Sequence, residues 1–263
     1  MKTSLDITAD AAWFEGHFPG RPILPAVSQL ALVLEALARH RGQPVALGGI
    51  GFARLRQPVV SGDPLQLEFD ERPGGALRFT LARDGAMVTN GELLPGSATT
   101  VTTLGPEVVA FDTDTNPIDD ATLIESLLPH RPPMRFVGSV LAESPDGMTC
   151  SARIPDECAL VTQGSAPAVA AIEAAAQTAA VWEATRRRRA GGKTASRLGY
   201  LVGLRDITFF APRIPAEQIF RATVRLEAAT LALTHYAMQI DLGSAVILRG
   251  TLATFLTDET LPA

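Results

Sequence analysis

The sequence predicts an α+β fold in which antiparallel sheet wraps around a central helix, and it predicts that unit twice in one chain. Three observations carry this. Two segments of helical pattern, 26–38 and 168–177, are apolar on nearly every side, so each must be enclosed by other structure. Each is followed by segments that alternate apolar and polar residues, the mark of half-buried strands. The two sets run in the same order, which indicates an internal duplication.

In chain order, Pro22 and Pro25 introduce the first helix, where a missing N–H costs least. Strand-forming residues from Phe52 onward then surround Pro58 and lead through the turn Ser61-Gly62-Asp63. Alternating strands are expected over 65–69, 77–82 and 86–93. A polar, turn-rich stretch with Gly105-Pro106 and Asn116-Pro117 marks the join. The predicted division is a first domain over 1–104, a linker over 105–118 and a second domain over 119–263. A short capped helix over 118–128 opens the second domain. Pro167 introduces its central helix, and a second proline-broken strand signal runs from Asp206 to Ile219. Strands are expected over 220–226, 233–242 and 245–255.

Composition narrows the function. With 263 residues, 46% hydrophobic and 19% charged, the chain has ample material for a packed core. A net charge of −5 argues against a nucleic-acid partner, which would call for a basic surface. Cys150 and Cys158 have neither the number nor the spacing of a disulfide framework or a zinc site. The N-terminal residues lack the apolar core of a signal peptide, and Gln29, Glu35, Glu173 and Gln177 interrupt the apolar helices, so no membrane span and a cytoplasmic location are expected. Phosphate loops, nucleophile elbows and metal-ligand spacings are not recognisable, and no cofactor is expected.

Two stretches carry chemistry. The first is His17-Phe18-Pro19-Gly20-Arg21-Pro22-Ile23-Leu24-Pro25, a histidine on a proline-stiffened turn just ahead of a buried helix. The second comprises Leu128-Pro129-His130-Arg131-Pro132-Pro133-Met134 and Ile172-Glu173-Ala174-Ala175-Ala176-Gln177. These residues resemble the hotdog-fold 3-hydroxyacyl-[acyl-carrier-protein] dehydratases of fatty acid synthesis. That family's signature is His-Phe-x-Gly-x-Pro-Val-Met-Pro-Gly with an acid farther along the following helix. Ile23 and Leu24 are conservative changes from it, and Ala26 replaces the last glycine. More finely, the halves resemble the two dehydratase subunits of aryl polyene biosynthesis, here fused. The resemblance implies a double hotdog: two antiparallel sheets, each wrapped around a central helix, as a pseudo-dimer in one chain.

In that family histidine and acid are fourteen positions apart. Fourteen positions beyond His17 is Ala31, and fourteen before Glu173 is Ala159, so each half has lost the complementary member of the pair. The resemblance implies that catalytic groups come from different subunits, so His17 and Glu173 are expected to meet in one composite site. A histidine beside prolines is otherwise a common turn residue, and a glutamate in an alanine-rich helix a common helix former. The motif around His17 and the apolar stripe beyond Glu173 (Val181, Ala184) favour the catalytic reading of both.

The expected chemistry is elimination of water from a 3-hydroxyacyl thioester. His17 is the expected base for the C2 proton, and Glu173, its pKa raised by an apolar tunnel, the acid or water-positioning group. N–H groups at a helix start, of Ala26 and Val27 or of Ala168 and Val169, are candidate donors to the thioester oxygen. Phe18, Gly20, Pro25, Ala170, Ala174 and Gln177 are expected to line the substrate site. His130 is implied to be a structural hydrogen-bonding residue, and Glu35, which aligns with Gln177, a structural residue or hydrogen-bond partner. His40 suits a helix C-terminus, and His235 lies in a strand.

Arg186-Arg187-Arg188-Arg189 reads either as a solvated helix end or as a docking patch for an acidic acyl carrier protein. The expected partner is that carrier with its phosphopantetheine-linked chain; further homo-oligomer formation stays open. Two alternatives to the dehydratase stand beside it: a hotdog acyl thioesterase, and a non-catalytic carrier-binding partner of another dehydratase.

Overall fold

The computed structural model describes residues 2–5, 7, 11–96, 121–191, 197–230 and 232–260. The linker expected over 105–118 lies outside these residues, as do the start of the opening helix and Lys193 in the basic region. The strands are β1 (Lys2–Leu5), β2 (Leu47–Leu55), β3 (Leu65–Glu71), β4 (Leu77–Arg83) and β5 (Ala86–Pro95) in the first half. The second half has β6 (Val137–Ser144), β7 (Gly147–Ala152), β8 (Ser165–Pro167), β9 (Arg197–Phe209), β10 (Arg213–Pro215), β11 (Phe220–Ala229), β12 (Leu233–Leu242) and β13 (Ala245–Thr260). The helices are α1 (Ala26–Arg41), α2 (Ala121–Leu127) and α3 (Ile172–Arg189).

An 11-stranded antiparallel sheet runs in the order β1-β3-β4-β5-β2-β9-β13-β12-β11-β7-β6, with β8 and β10 pairing separately. Its midline is the β2–β9 pair, where Ile50 faces Ile207 and Ala53 faces Leu204. On either side the order mirrors: β2, β5, β4, β3 in one half, β9, β13, β12, β11 in the other. The two expected sheets are therefore joined edge to edge. Gly49 permits that join, because a Cβ there would stand 2.5 Å from the Ile207 carbonyl oxygen. This is the double-hotdog architecture.

Strand alternation behaves as the pattern predicts. In β3, Leu65, Leu67 and Phe69 are buried and Gln66, Glu68 and Asp70 exposed, so one face meets the helices and the other water. Both central helices share one core with the sheet: α1 contributes Val27, Leu30, Val33 and Leu37, and α3 contributes Ala174, Ala175, Val181 and Trp182. The helix α1 ends at Gly42, which takes the left-handed conformation (φ 67°) and returns its N–H to Ala38 and Arg39.

The second central helix departs from its expected start. Residues Ala168–Ala171 form a 3₁₀ turn, and α-helical geometry begins only at Ile172. The Ala168 N–H is held by the Pro212 carbonyl at 3.0 Å, which anchors the turn to the strand-forming segment opposite. Neither β6 nor β7 was expected from the sequence.

Candidate active site

His17 sits on the turn leading to α1, buried and held from both sides by one residue. Its carbonyl accepts the Ile23 N–H at 3.0 Å, and its Nδ1 donates to the Ile23 carbonyl at 3.0 Å. A carbonyl can only accept, so the proton is on Nδ1 and the Nε2 lone pair is left open. Burial pushes the imidazole down to about 4, against a smaller upward pull from Glu173. It is therefore neutral at physiological pH and able to act as a base.

Glu173 enters from the first turn of α3, where the helix dipole favours an anion, and it is only 3% exposed. Its Oε1 accepts two hydrogen bonds: from His130 Nε2 at 3.1 Å and from Gln177 Nε2 at 3.1 Å. Burial pushes this carboxyl up, but the His130 hydrogen bond, the electrostatic pull of the His130 and His17 imidazoles in their protonated forms and the Gln177 amide together outweigh it. The net direction is downward. This corrects the expectation of a raised pKa: the apolar surroundings are real, and so are the donors placed among them.

Gln177 is fully buried and spends its side chain on structure as well. It donates to the Met134 carbonyl at 2.7 Å and accepts the N–H groups of Phe136 and Val137 at 2.9 and 3.3 Å. It thus fastens the segment after His130 onto α3 and orients Glu173, and it is not among the cavity-lining residues.

His130 is the residue the sequence reading undervalued. Ligand-type atoms of His17, His130 and Glu173 all lie within 4.8 Å of one another. That spacing would also admit a cation; as the groups stand, His130 Nε2 is paired with Glu173 Oε1 and His17 Nδ1 with the Ile23 carbonyl, an arrangement suited to moving protons. Phe18 packs against both imidazoles, stacked on His17 at 4.1 Å and edge-on to His130 at 4.8 Å. The signal that could have found His130 was its place in the Leu128–Met134 motif, but distance in the chain hides its approach to α3.

These groups open onto a cavity of about 390 Å³ lined by residues of both halves, including Phe18, Ile23, Ala26, Leu55, Tyr200 and Thr254. One stripe of α3 forms a wall: Glu173, Ala176, Ala180, Glu183 and Arg187. At 1.5 Å per residue that wall is roughly 20 Å long.

The other expected site residues divide. Ala26 lines the cavity, and its N–H, being the first of α1, has no partner within the helix. Val27 is fully buried in the core. Ala168 has already committed its N–H to Pro212, and Val169 is buried beside it, so the second helix start is not presented to the cavity. Gly20 is exposed on a turn and Pro25 precedes α1; neither lines the cavity. Ala170 and Ala174 are fully buried against the core, and the small residues that do line the space are Ala176 and Ala180. Ala31 and Ala159 are both partly buried. Glu35 is exposed and 3.9 Å from Arg39, outside the site. His40 is exposed, and His235 lies opposite Ala253 in β12.

The arginine run is not a uniform patch. Arg189 forms a two-pronged pair with Glu143 at 2.6 and 2.8 Å, and Arg186 lies over the Trp182 ring at 4.5 Å. Arg187 turns toward the cavity, 3.5 Å from Glu183, and Arg188 is exposed. Glu183 also accepts the Tyr236 hydroxyl.

Comparison with known proteins adds three findings. A family model described as ApeP-like, ApeP dehydratase, matches residues 122–261, and one described as ApeI-like, ApeI dehydratase, matches residues 1–92. The 3-hydroxyacyl-[acyl-carrier-protein] dehydratase FabZ of Roseiflexus sp. (strain RS-1) is 37% identical over 103 residues, 34% of this chain and 69% of that protein. FabZ of Myxococcus xanthus is 40% identical over 106 residues, 34% of this chain and 67% of its own length. Among solved structures, the dehydratase domain of PpsC from Mycobacterium tuberculosis superposes with a TM-score of 0.69 at 15% identity, covering 97% of this chain and 92% of that one. A monomeric dehydratase domain from a trans-AT polyketide synthase split module gives 0.68 at 14% identity, covering 98% of each. At these identities the likeness speaks for the fold.

Proposed function

Because the chain belongs to the ApeP-like dehydratases and carries an ApeI-like dehydratase segment in front, we propose that it converts a 3-hydroxyacyl-[acyl-carrier-protein] to the trans-2-enoyl product at one site shared by its halves. The observation that carries this reading is the approach of His17, from the first half, and Glu173, from the second, to within 4.8 Å beside one cavity. Ala31 and Ala159, at the mirror positions, offer no ionisable group.

In this reading His17 Nε2 removes the C2 proton, the C3–O bond breaks, and Glu173 holds the departing hydroxyl. The Ala26 N–H meets the negative charge that gathers on the thioester oxygen. The acyl chain lies along the Ala176 and Ala180 wall. Arg21 and Arg56 on the cavity lining suit the phosphate of a carrier-bound pantetheine arm, and exposed Arg188 suits the acidic carrier itself. The resemblance to the fused pair of aryl polyene dehydratase subunits makes aryl polyene or related specialised lipid synthesis the setting we favour.

The convergence of His17 and Glu173 on one cavity favours an enzyme over a carrier-binding scaffold. A product assay on a 3-hydroxyacyl-carrier substrate tests the rest. Enoyl thioester and water support the dehydratase; free acid and carrier thiol would support the thioesterase; no turnover would support the scaffold.

A further inference from the structure

The acid half of this reaction lacks an obvious proton. Glu173 is held as a carboxylate by two donors on one oxygen, so alone it is poised to accept a hydrogen bond from the 3-hydroxyl, not to protonate it. His17 has its single proton fixed on Nδ1 by the Ile23 carbonyl. The third buried group is His130. Its Nε2 contacts Glu173 Oε1 at 3.1 Å, while its Nδ1 is buried with no hydrogen-bond partner among the described residues. A buried polar nitrogen without a partner costs about 1–3 kcal/mol and calls for an explanation.

A purely structural histidine would have both nitrogens satisfied. This one has one nitrogen on the carboxylate of Glu173 and the other without a hydrogen-bond partner among the described residues, while its ring packs edge-on against Phe18. Other ionisable groups around it do not take over its role. From the turn before α1 comes His17, ring centroid 5.2 Å away. The thiol of Cys158 is pushed up to about 11 by burial and so carries no charge. The Arg131 guanidinium folds back onto the Leu128 and His130 carbonyls, facing Glu125 on its other side. Among the described residues, only Glu173 meets a ring nitrogen of His130 within hydrogen-bonding distance.

We propose that His130 is the proton-supplying partner of Glu173, so that the proton leaving with the 3-hydroxyl comes from the His130–Glu173 pair and not from Glu173 alone. This rests on the dehydratase reading and deepens it. In the step, the C2–H bond breaks and its proton goes to His17 Nε2. The C3–O bond breaks, and the Nε2 proton of His130, which enters the step as an imidazolium, passes through the Glu173 carboxylate to form the second O–H bond of the departing water, leaving His130 a neutral imidazole. The pair is then one proton short and His17 one proton over. A proton returned from His17 to the pair through water, once product has left, resets the site. No oxidant, metal or cofactor enters the balance. His130 acts through Glu173 and is in that sense a positioning residue.

The experiment uses the full chain and a 3-hydroxybutyryl thioester as probe, with kcat and KM followed across pH for wild type, His130→Gln and His130→Ala. Glutamine keeps an N–H for Glu173 but cannot carry a proton. The expected result is that His130→Gln loses roughly 10²–10⁴-fold in kcat at neutral pH with little change in KM. Its alkaline limb should move toward acid, since Glu173 must then be protonated unaided. Added imidazole should raise turnover of His130→Ala and leave that of His130→Gln unchanged, a readout that also serves if glutamine disturbs folding. Retention of wild-type kcat and pH profile by His130→Gln would overturn the proposal and leave His130 a simple hydrogen-bond donor. If wild type yields no enoyl product at all, the dehydratase reading itself fails, a different outcome from the first.

Discussion

The Gly16 carbonyl accepts the Arg131 N–H at 3.0 Å, so the turn carrying His17 is tied by its backbone to the loop carrying His130. The contact is as close as a backbone allows. Gly16 has φ 78°, and a Cβ on it would lie 2.1 Å from the Arg131 carbonyl oxygen. Gly16→Ala should therefore cost about 1–3 kcal/mol through left-handed strain and collision, and should lower kcat by separating the two loops. Gly20→Ala is the control: it has the same hand of backbone (φ 81°), with nothing within 4 Å of the added Cβ. It should cost roughly 1 kcal/mol, with turnover retained. Thermal unfolding and kcat measured on both variants check this.

The depressed pKa of His17, about 4, has two consequences. Between about 4 and the ordinary 6.5 the unfolded chain binds a proton here that the folded chain does not, so stability must rise with pH across that window. This contribution is present above 6.5 and lost as pH falls toward 4, on the order of 3 kcal/mol in all. Glu173, also lowered, loses its contribution in acid too. Denaturant melts at several pH values should show the slope, and His17→Ala should flatten it. In kinetics, kcat/KM should show no acid limb centred near 6.5, because the base remains unprotonated there.

The alanines of the α3 wall set the width of the cavity. Ala180→Phe places a ring into a space of about 390 Å³, seven residues beyond Glu173. Turnover of long 3-hydroxyacyl chains should fall by at least an order of magnitude while a four-carbon substrate is largely spared. A chain-length series with this variant checks the prediction.

Much of this was legible in the residues. The two central helices, the duplication and the complementary loss at Ala31 and Ala159 follow from pattern and spacing. What was not legible has physical causes. The 3₁₀ turn over Ala168–Ala171 winds at about three residues per turn, and it precedes the helix. The lining stripe is accordingly 173–176–180, not the 170–174 face that small residues alone suggested. The same turn spends the Ala168 N–H on Pro212. The approach of His130 to Glu173, which reverses the sign of the expected pKa shift, depends on Gln177 gripping the Met134–Val137 backbone 40 or more residues away in the chain.

If the arginines near the end of α3 meet the carrier, their effect is electrostatic and falls with salt. Arg188→Glu should weaken turnover of carrier-bound substrate at low ionic strength and leave a short soluble thioester unaffected. Arg189→Glu should also lower stability, since it breaks the pair with Glu143. Equal salt dependence for both substrates would argue against docking there.

The most direct test of the shared site is a kinetic comparison of His17→Ala, Glu173→Gln and the double variant on a 3-hydroxyacyl-carrier substrate. If the two residues act as one unit, each single change should lower kcat by several orders of magnitude and the double change should lower it little further. Losses that simply add, or near-normal turnover in either single variant, would contradict a single active site built from both halves.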